Sequence, residues 1–432
     1  MERERDPPEY IKDLLSGSAF LRNIRAYNQM FAMTSFGAKI DDSVNQGRGP
    51  YVFKVSGQIY HSIGSLVPLG DDTPRFLQLY IYDTQNEVAN RLSHFPRSQQ
   101  ADLDPEVVQG LIIFFDDHNE LVRTLRTARD LSNQEDIPDF KIRLFNAERA
   151  RGYELPTSNT VAAVVFYDGP RTEGDYDVII QYKGGDPQRI NKLHKSYMSL
   201  QFPLIFIYGQ PGYHTDLMLR SANPTQRPRR VSLSAFYTYQ LHPRPDSYDL
   251  LFRTGRLFQQ YVVSVYCCIE QSRMDFYRKH QSDIRGDYLS GLYDAVSRGD
   301  CDGSEVGSRI ILPSSFTGGP RYMYSHYLDA LAICRKLGNP QFFITFTCNV
   351  NWPEIRRYMA EYPHLTASDR ADVVCRVFEQ KIVSFIKFLK KGRPFGCVTG
   401  GMLYSIFQFM FFLRTLLALP QVIHYYIMHH YL

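Results

Sequence analysis

Phe342-Phe-Ile-Thr-Phe-Thr-Cys-Asn349 (FFITFTCN) alternates without a break. Phe342, Ile344, Phe346 and Cys348 fall on one face, and Phe343, Thr345, Thr347 and Asn349 on the other. A period of two is the signature of a strand. This one has a greasy face and an opposite face that carries small polar groups near its end. Trp352-Pro-Glu-Ile355 follows. Pro353 suits a first helical turn, so the strand is expected to stop here and a helix to begin.

Helices are expected on both sides of that stretch. Thr254 to Lys279 places Phe258, Val262, Val265, Ile269 and Phe276 at three-to-four spacing. Thr366 to Lys391 does the same with Val374, Phe378, Ile382, Phe385 and Leu389. Its last turn holds Lys387, Lys390 and Lys391, where cations suit the helix dipole, and Gly392 closes it. Thr317-Gly-Gly-Pro-Arg321 reads as a turn before a helix carrying Tyr324, Leu328, Leu331 and Ile333.

Farther upstream, Pro224 to Arg230 (PTQRPRR) has two prolines, three arginines and no apolar residue, so the main domain boundary is placed there. Before it the signals are mixed. Phe20 to Phe31 has helical spacing, and Asn45 to Pro50 is a glycine-rich turn. Six runs read as strands: Tyr51–Val55, Phe76–Asp83, Phe140–Phe145, Val161–Tyr167, Val178–Tyr182 and Leu204–Tyr208. Asp104 is a good N-cap with Pro105 behind it, for one helix whose stripe runs Val108, Leu111, Ile112, Phe115, Val122 and Leu125. The expected fold class is α+β or mixed α/β. The expected layout is an N-terminal region (1–100), a mixed α/β region (101–223), a basic linker (224–231), a C-terminal domain (232–405) and an apolar tail (406–432).

Composition sets limits. At 432 residues, 44% apolar and 22% charged, the chain is neither a disordered tail nor a collagen-like repeat. Its net charge, 49 − 45 = +4, permits nucleic-acid contact without requiring it. Seven cysteines with no CxxC exclude a disulfide scaffold and an ordinary zinc ribbon, and a reducing intracellular compartment is expected. The first six residues are a run of charge rather than a secretory signal. No GxxxxGK[ST] loop occurs, so the sequence has no P-loop for ATP phosphates. The twelve histidines include no His-x-His pair.

From Phe236 onward the chain resembles the helicase-like N-terminal domain of Helitron transposon proteins. The residues that carry the likeness are FYTYQLHPRP (Phe236–Pro245), GRLFQQYVV (Gly255–Val263), LPSSFTGGPRYM (Leu312–Met323), LDALAICRKLGNPQFFITFTCNVNWPEI (Leu328–Ile355) and GRPFG (Gly392–Gly396). Phe20–Asp41, Gly49–Pro68 and Asp175–Gly185 resemble the region that precedes this domain in the same proteins. Val350 departs from the pattern, where proline usually follows the asparagine.

The resemblance implies a rolling-circle initiator of the HUH endonuclease class joined to a helicase. It implies an antiparallel HUH-nuclease-like sheet with flanking helices, here incomplete, in which the FITFTCN strand would support a histidine strand. In such a nuclease a tyrosine attacks a phosphodiester while a divalent Mg or Mn, held by two histidines one residue apart, polarises the phosphate. Thr345, Thr347, Asn349, Trp352 and Glu354 match the family's motif strand, without a catalytic role. No catalytic and no metal-ligating residue is assigned.

The likeness fades after Ser405, where the family continues into its histidine motif. The chain is therefore expected to be a truncated, catalytically inactive Helitron fragment that lacks both metal and ATP sites. A frameshift or mis-joined exon past Ser405 would explain the change. The tail offers Tyr425-Tyr426 as a paired nucleophile and His424, His429 and His430 as ligands, which would make an active metal-dependent nickase the rival reading. A domesticated, non-catalytic interaction module is the other rival. Met402 to Leu419 has nearly the length of a membrane span, but it contains Arg414 and Gln408 and is read as a sticky extension. The expected partner is single-stranded DNA, bound weakly and salt-sensitively through Arg227, Arg229, Arg230, Arg321, Arg335 and Lys336. Further cations (Arg356, Arg357, Lys387, Lys390, Lys391 and Arg393) are scattered over the C-terminal half, and Tyr237, Tyr239 and Tyr248 are candidates for base stacking. No membrane contact is expected, and the resemblance points to the nucleus.

Overall fold

The computed structural model describes residues 5–40, 43–46, 53–68, 72–132, 140–144, 162–166, 178–181, 187–219, 228–244, 247–281, 311–392 and 394–397. The fold is mixed α+β, with several small antiparallel sheets. It divides into two compact units. The first holds residues 1–265 and Tyr358–Ala371, and the second Tyr266–Arg357 and the described residues from Asp372.

Helices supply the core of the first unit. α1 (Glu9–Ser16) and α2 (Ser18–Phe31) turn about Gly17. The predicted spacing in α2 is realised: Phe20, Ile24, Tyr27 and Phe31 are buried. Phe31 meets Phe115 with ring centroids 5.1 Å apart. α3 (Glu87–Ser93), α4 (Arg97–Gln100), α5 (Pro105–His118) and α6 (Glu120–Ser132) follow. Asp104 caps α5 as its sequence position requires, its Oδ1 accepting the Glu106 N–H at 2.8 Å, with Pro105 at the first position.

Glu87 sits at the centre of a buried ionic network. Its carboxylate receives Arg91 (2.6 Å) and Arg126 (2.8 Å), and Arg126 also reaches Asp116 at 2.8 Å. The Arg91 guanidinium lies between the rings of Phe31 and Tyr80, at 4.3 and 4.4 Å, and donates to the Met30 carbonyl. Charges buried to this degree persist only when paired and hydrogen-bonded, as these are.

Among the described residues strand pairing is antiparallel throughout. β1 (Ser35–Ile40) pairs with β2 (Val55–Ile63). β3 (Phe140–Leu144) lies between β4 (Ala162–Phe166) and β5 (Val178–Gln181). β6 (Gln188–Arg189) adds to β2, and β7 (Met218–Leu219) pairs with β8 (Arg229–Arg230). Thus the last residues of the basic run form a short ladder, while 221–227, Arg227 included, lie outside the described residues. The unit also contains α7 (Tyr197–Gln201), α8 (Leu233–Gln240), α9 (Leu250–Arg253) and the start of α10 (Arg256–Lys279). In α10 the stripe Phe258, Val262, Val265 and Ile269 is buried, but Phe276 is exposed.

Four predicted elements of the first unit differ from those observed. Phe76–Asp83 is not a strand. Residues Phe76–Tyr80 form a 3-10 turn that buries Leu77, Leu79 and Tyr80, with the Gln78 side chain accepting the Arg75 N–H at 3.0 Å. Leu204–Tyr208 is a buried turn closed by Phe206 N–H to the Phe202 carbonyl and Gly209 N–H to that of Phe206. A short, wholly apolar run has no period with which to separate the two states. The strand expected at Tyr51–Val55 begins at Val55 and runs on through Gly57 to Ile63, and residues 51–52 lie outside the described residues. The single helix expected from Asp104 to Leu125 is two, α5 and α6, because Asn119 ends one and caps the other.

The second unit is helical where described. It holds most of α10 after Val265, then α11 (Pro320–Leu337), α12 (Pro353–Met359, through Arg357) and α13 (Ala371–Gly392, from Asp372). Pro353 opens its helix, as predicted, and Pro320 opens α11 from within the stretch expected as a turn. No strand occurs among the described residues of this unit, so FFITFTCN pairs with nothing there. A strand exists through its partner's hydrogen bonds, and alternation alone cannot supply them. Residues 398–432, with Gly401–Ile406 and the whole apolar tail, lie outside the described residues. No described helix is long and apolar enough to cross a membrane.

Candidate nucleic-acid interface

Half of the predicted alternation at 342–349 survives as packing. Phe346 and Cys348 turn onto Phe378 and Ile382 of α13, joined by Trp352 and Cys375. Phe346 stacks on Phe378 (5.6 Å, 8°) and Phe385 (4.8 Å, 9°), and Trp352 stacks on Phe378 at 6.1 Å. Thr345, Thr347 and Asn349 face outward and are exposed. Phe342, Phe343 and Ile344 are exposed as well, Phe343 to 94%. Phe342 leans on Phe395 at 4.9 Å.

The local roles of three motif residues follow from this packing. Asn349 Oδ1 accepts the Asn351 N–H at 2.9 Å, and its carbonyl accepts the Trp352 N–H at 3.2 Å, which turns the chain into α12. Lys381 binds Glu354 at 2.7 Å and lies 5.7 Å from the Trp352 ring centroid. The motif thus holds a turn and an aromatic stack in place, and its exposed threonines donate to no described neighbour.

The predicted basic residues fall in both units. Arg229 and Arg230 are exposed on β8 in the first. In the second, Arg321 opens α11 and is half-buried, while Arg335 and Lys336 are exposed in its last turn. At 1.5 Å per residue Arg321 and Arg335 are about 21 Å apart along α11, so these cations do not converge on one phosphate. Arg356 and Arg357 on α12 and Lys387, Lys390 and Lys391 on α13 are exposed or nearly so. Arg393 lies outside the described residues.

Of the three candidate stacking tyrosines, Tyr237 is buried to 1% and is unavailable to a base. Tyr239 is exposed but carries the Arg244 guanidinium 3.9 Å from its centroid. Tyr248 is covered by Arg253 at 4.5 Å.

Three of the described thiols are poorly nucleophilic. Burial pushes the Cys267 and Cys375 thiols up to about 12 and raises Cys348 too, which leaves them protonated and poorly nucleophilic. No three His, Cys, Asp or Glu side chains converge among the described residues. Together with the absence of His-x-His from the sequence, this means that the described residues do not fit the divalent metal of an HUH centre.

The family model for the Helitron helicase-like domain at N-terminus matches residues 236–408. The chain carries a Helitron helicase-like domain. The matched stretch runs from α8 through α13 and contains the FFITFTCN motif. It ends three positions after Ser405. No curated protein matches the chain.

Sequence reasoning missed one feature. Residues 5–7, 205–208, Gln210, Gln240, Arg244, 247–252 and Tyr261 together line an open cleft in the first unit. Its walls come from four separate stretches, and no local pattern announces that they meet.

Proposed function

We propose that this chain is a Helitron-derived, transposon-related protein that holds single-stranded DNA weakly and cleaves nothing. The helicase-like match over 236–408 carries the transposon-related part of this reading. The non-catalytic part draws support from the sequence, in which the twelve histidines supply no His-x-His and no Walker loop occurs. The DNA part draws support from exposed cations spread over β8, α11, α12 and α13. Scattered phosphate contacts of this kind give sequence-independent, salt-sensitive binding. The site of action in this reading is the nucleus.

Fluorescence anisotropy of the full chain with labelled single-stranded DNA tests it. Binding is expected at low salt, with a log–log salt slope that becomes shallower in an Arg321→Ala, Arg335→Ala, Lys336→Ala triple variant. No binding at tens of micromolar (roughly the non-specific range) defeats the DNA part. Manganese-dependent nicking of a supercoiled plasmid, abolished by Tyr425→Phe with Tyr426→Phe, defeats the non-catalytic part.

A second reading, an interaction module without a DNA role, is favoured by α11. This helix buries no residue and exposes Tyr324, Tyr327, Leu328 and Leu331. Exposed apolar surface of that kind marks binding faces. The same anisotropy experiment separates the two readings.

A further inference from the structure

Residues 217–245 contain no aspartate and no glutamate. Within them, Arg229-Arg-Val-Ser-Leu233 places two guanidiniums two and three residues before a serine. The sequence has five adjacent pairs of Arg or Lys, and only this one has a Ser or Thr at that distance.

The structure presents this run at the surface. Arg229, Arg230 and Ser232 are exposed. The arginines form β8, and Ser232 continues the extended backbone with φ −76° and ψ 154°. Only the exposed pair Met218–Leu219 of β7 is bonded to β8. No ion pair ties either guanidinium to a described carboxylate. Leu233 alone of the five is buried. An enzyme meets the run in a local opening that breaks a two-residue ladder and one cap.

Ser232 is the N-cap of α8, and its Oγ accepts the Ala235 N–H at 3.1 Å. The oxygen serves as an acceptor, which leaves its own proton for an outside base. A nucleic-acid contact alone would use the arginines and not the serine, and a cap alone would use the serine and not the arginines. A phosphoryl-transfer enzyme that reads basic sequence uses both.

We propose that Ser232 is a phosphorylation site for a protein kinase with carboxylates in its substrate groove. Those carboxylates pair with Arg229 and Arg230 while the extended run lies in the groove. The Ser232 Oγ attacks the γ-phosphorus of ATP and passes its proton to the kinase's base. The Oγ–P bond forms as the bond from that phosphorus to the bridging oxygen breaks, and ADP leaves. The product carries a charge of about −1.5 to −2 at the N-terminus of α8, close in sequence to both arginines. It keeps an acceptor for the first turn of the helix and offsets the charge of β8. The site stands apart from the DNA reading; where that reading holds, the phosphate takes β8 out of the DNA contacts.

The test incubates the full chain with ATP and the catalytic subunit of the cyclic-AMP-dependent protein kinase, then maps phosphate by peptide mass spectrometry. One phosphate is expected in this region, on Ser232. Arg229→Ala with Arg230→Ala is expected to lower kcat/KM for that transfer by about tenfold, the worth of one charge-assisted contact. Ser232→Ala is expected to take up none at this position. That variant also loses its cap, so Ser232→Thr is measured beside it; it keeps cap and hydroxyl and is expected to carry phosphate at position 232. No phosphate on Ser232 of the folded chain, transfer to Ser234 with Ser232 bare, or a rate indifferent to the arginine pair overturns the proposal. Phosphate on Ser232 in a chain that binds no single-stranded DNA upholds the site and defeats the DNA reading alone.

Discussion

Lys381 Nζ lies 2.7 Å from Glu354 Oε1 and ties α12 to α13 beside the Trp352 ring. That hydrogen bond is the main cause holding the Glu354 carboxyl below its ordinary value, helped by a backbone N–H and by the charges of Lys381 and Arg357. A carboxyl depressed in the folded state stabilises the fold above its ordinary value, and the benefit disappears as pH falls through the folded value. Both side chains are partly exposed, so the effect is small and screened by salt. Glu354→Gln is therefore expected to flatten the acid limb of a denaturant-midpoint profile at low ionic strength, its small loss of stability being present at pH 7 and vanishing at acid pH. An equally steep acid limb in the variant would refute the assignment.

His61 behaves in the opposite sense. It is fully buried, its ring stacks on Tyr197 at 4.0 Å, and its Nδ1–H donates to the Tyr197 carbonyl at 3.2 Å. Burial lowers its pKa to about 3 from an ordinary 6.5. Between those values the unfolded chain binds a proton that the folded chain refuses, so stability rises with pH across the window. The slope approaches about 1.4 kcal/mol per pH unit for this group. His61→Phe is expected to remove that part of the slope, at the cost of one hydrogen bond near neutrality. Urea midpoints from pH 4 to 7 check it, and an unchanged slope would contradict the burial.

Asn119 is the hinge on which the two helices of the 104–132 stretch turn. Its Oδ1 accepts from Leu121 and Val122 at 3.0 and 3.2 Å, and its Nδ2 donates to the Ile207 carbonyl at 3.2 Å. Asn119→Ala is expected to cost about 1–3 kcal/mol, because a cap and a buried acceptor both lose their partner. Asn119→Ser keeps a capping oxygen and is expected to lose less. Chemical denaturation ranks the two, and equal losses would mean that the capping contacts contribute nothing.

Asn119 also shows what the sequence could and could not reveal. The stripe Val108, Leu111, Ile112 and Phe115 was legible because burial follows helical period, and the Asp104 cap because its chemistry is local. The break was not legible, because an asparagine inside a helical pattern reads as tolerated until Ile207, 88 residues on, supplies its partner carbonyl. Leu204–Tyr208 failed for a related reason, since five apolar residues without a polar phase fit a strand or a tight turn equally well, and Phe76–Tyr80 alternates about Gln78, whose side chain instead folds back onto the Arg75 N–H. In the motif, the residue types at 342–349 announced which side would pack, and Phe346 and Cys348 do so. They could not announce a ladder, which depends on another segment.

Gly37 faces Tyr60 across the β1–β2 pair, and a Cβ at Gly37 would stand 2.2 Å from the tyrosine ring. The ring covers the glycine, an arrangement that lets a strand keep a residue it otherwise disfavours. The Arg189 guanidinium lies 4.1 Å from the Tyr60 centroid, so the ring has limited room to swing away. Gly37→Ala is expected to destabilise the first unit by about 1–3 kcal/mol. Tyr60→Ala in the same chain is expected to relieve the clash, making the double variant more stable than the two single losses added together. Additive losses in a double-mutant cycle would show that the ring does not obstruct the new methyl group.

Phe343 and Phe346 carry the same side chain three residues apart in one motif, yet the structure gives them opposite fates. Phe343 is 94% exposed, while Phe346 is packed among Trp352, Phe378 and Phe385. Phe343→Ser is expected to shift stability by no more than about 0.5 kcal/mol and to improve solubility, because it removes an exposed ring. Phe346→Ser is expected to cost about 3–5 kcal/mol, since it opens a cavity under three aromatic rings and places a hydroxyl in it. Thermal melts of the two variants, read beside light scattering, test this asymmetry. If Phe343→Ser were as damaging as Phe346→Ser, a further segment would have to cover the outer face, and the exposed side of the motif would belong to the core.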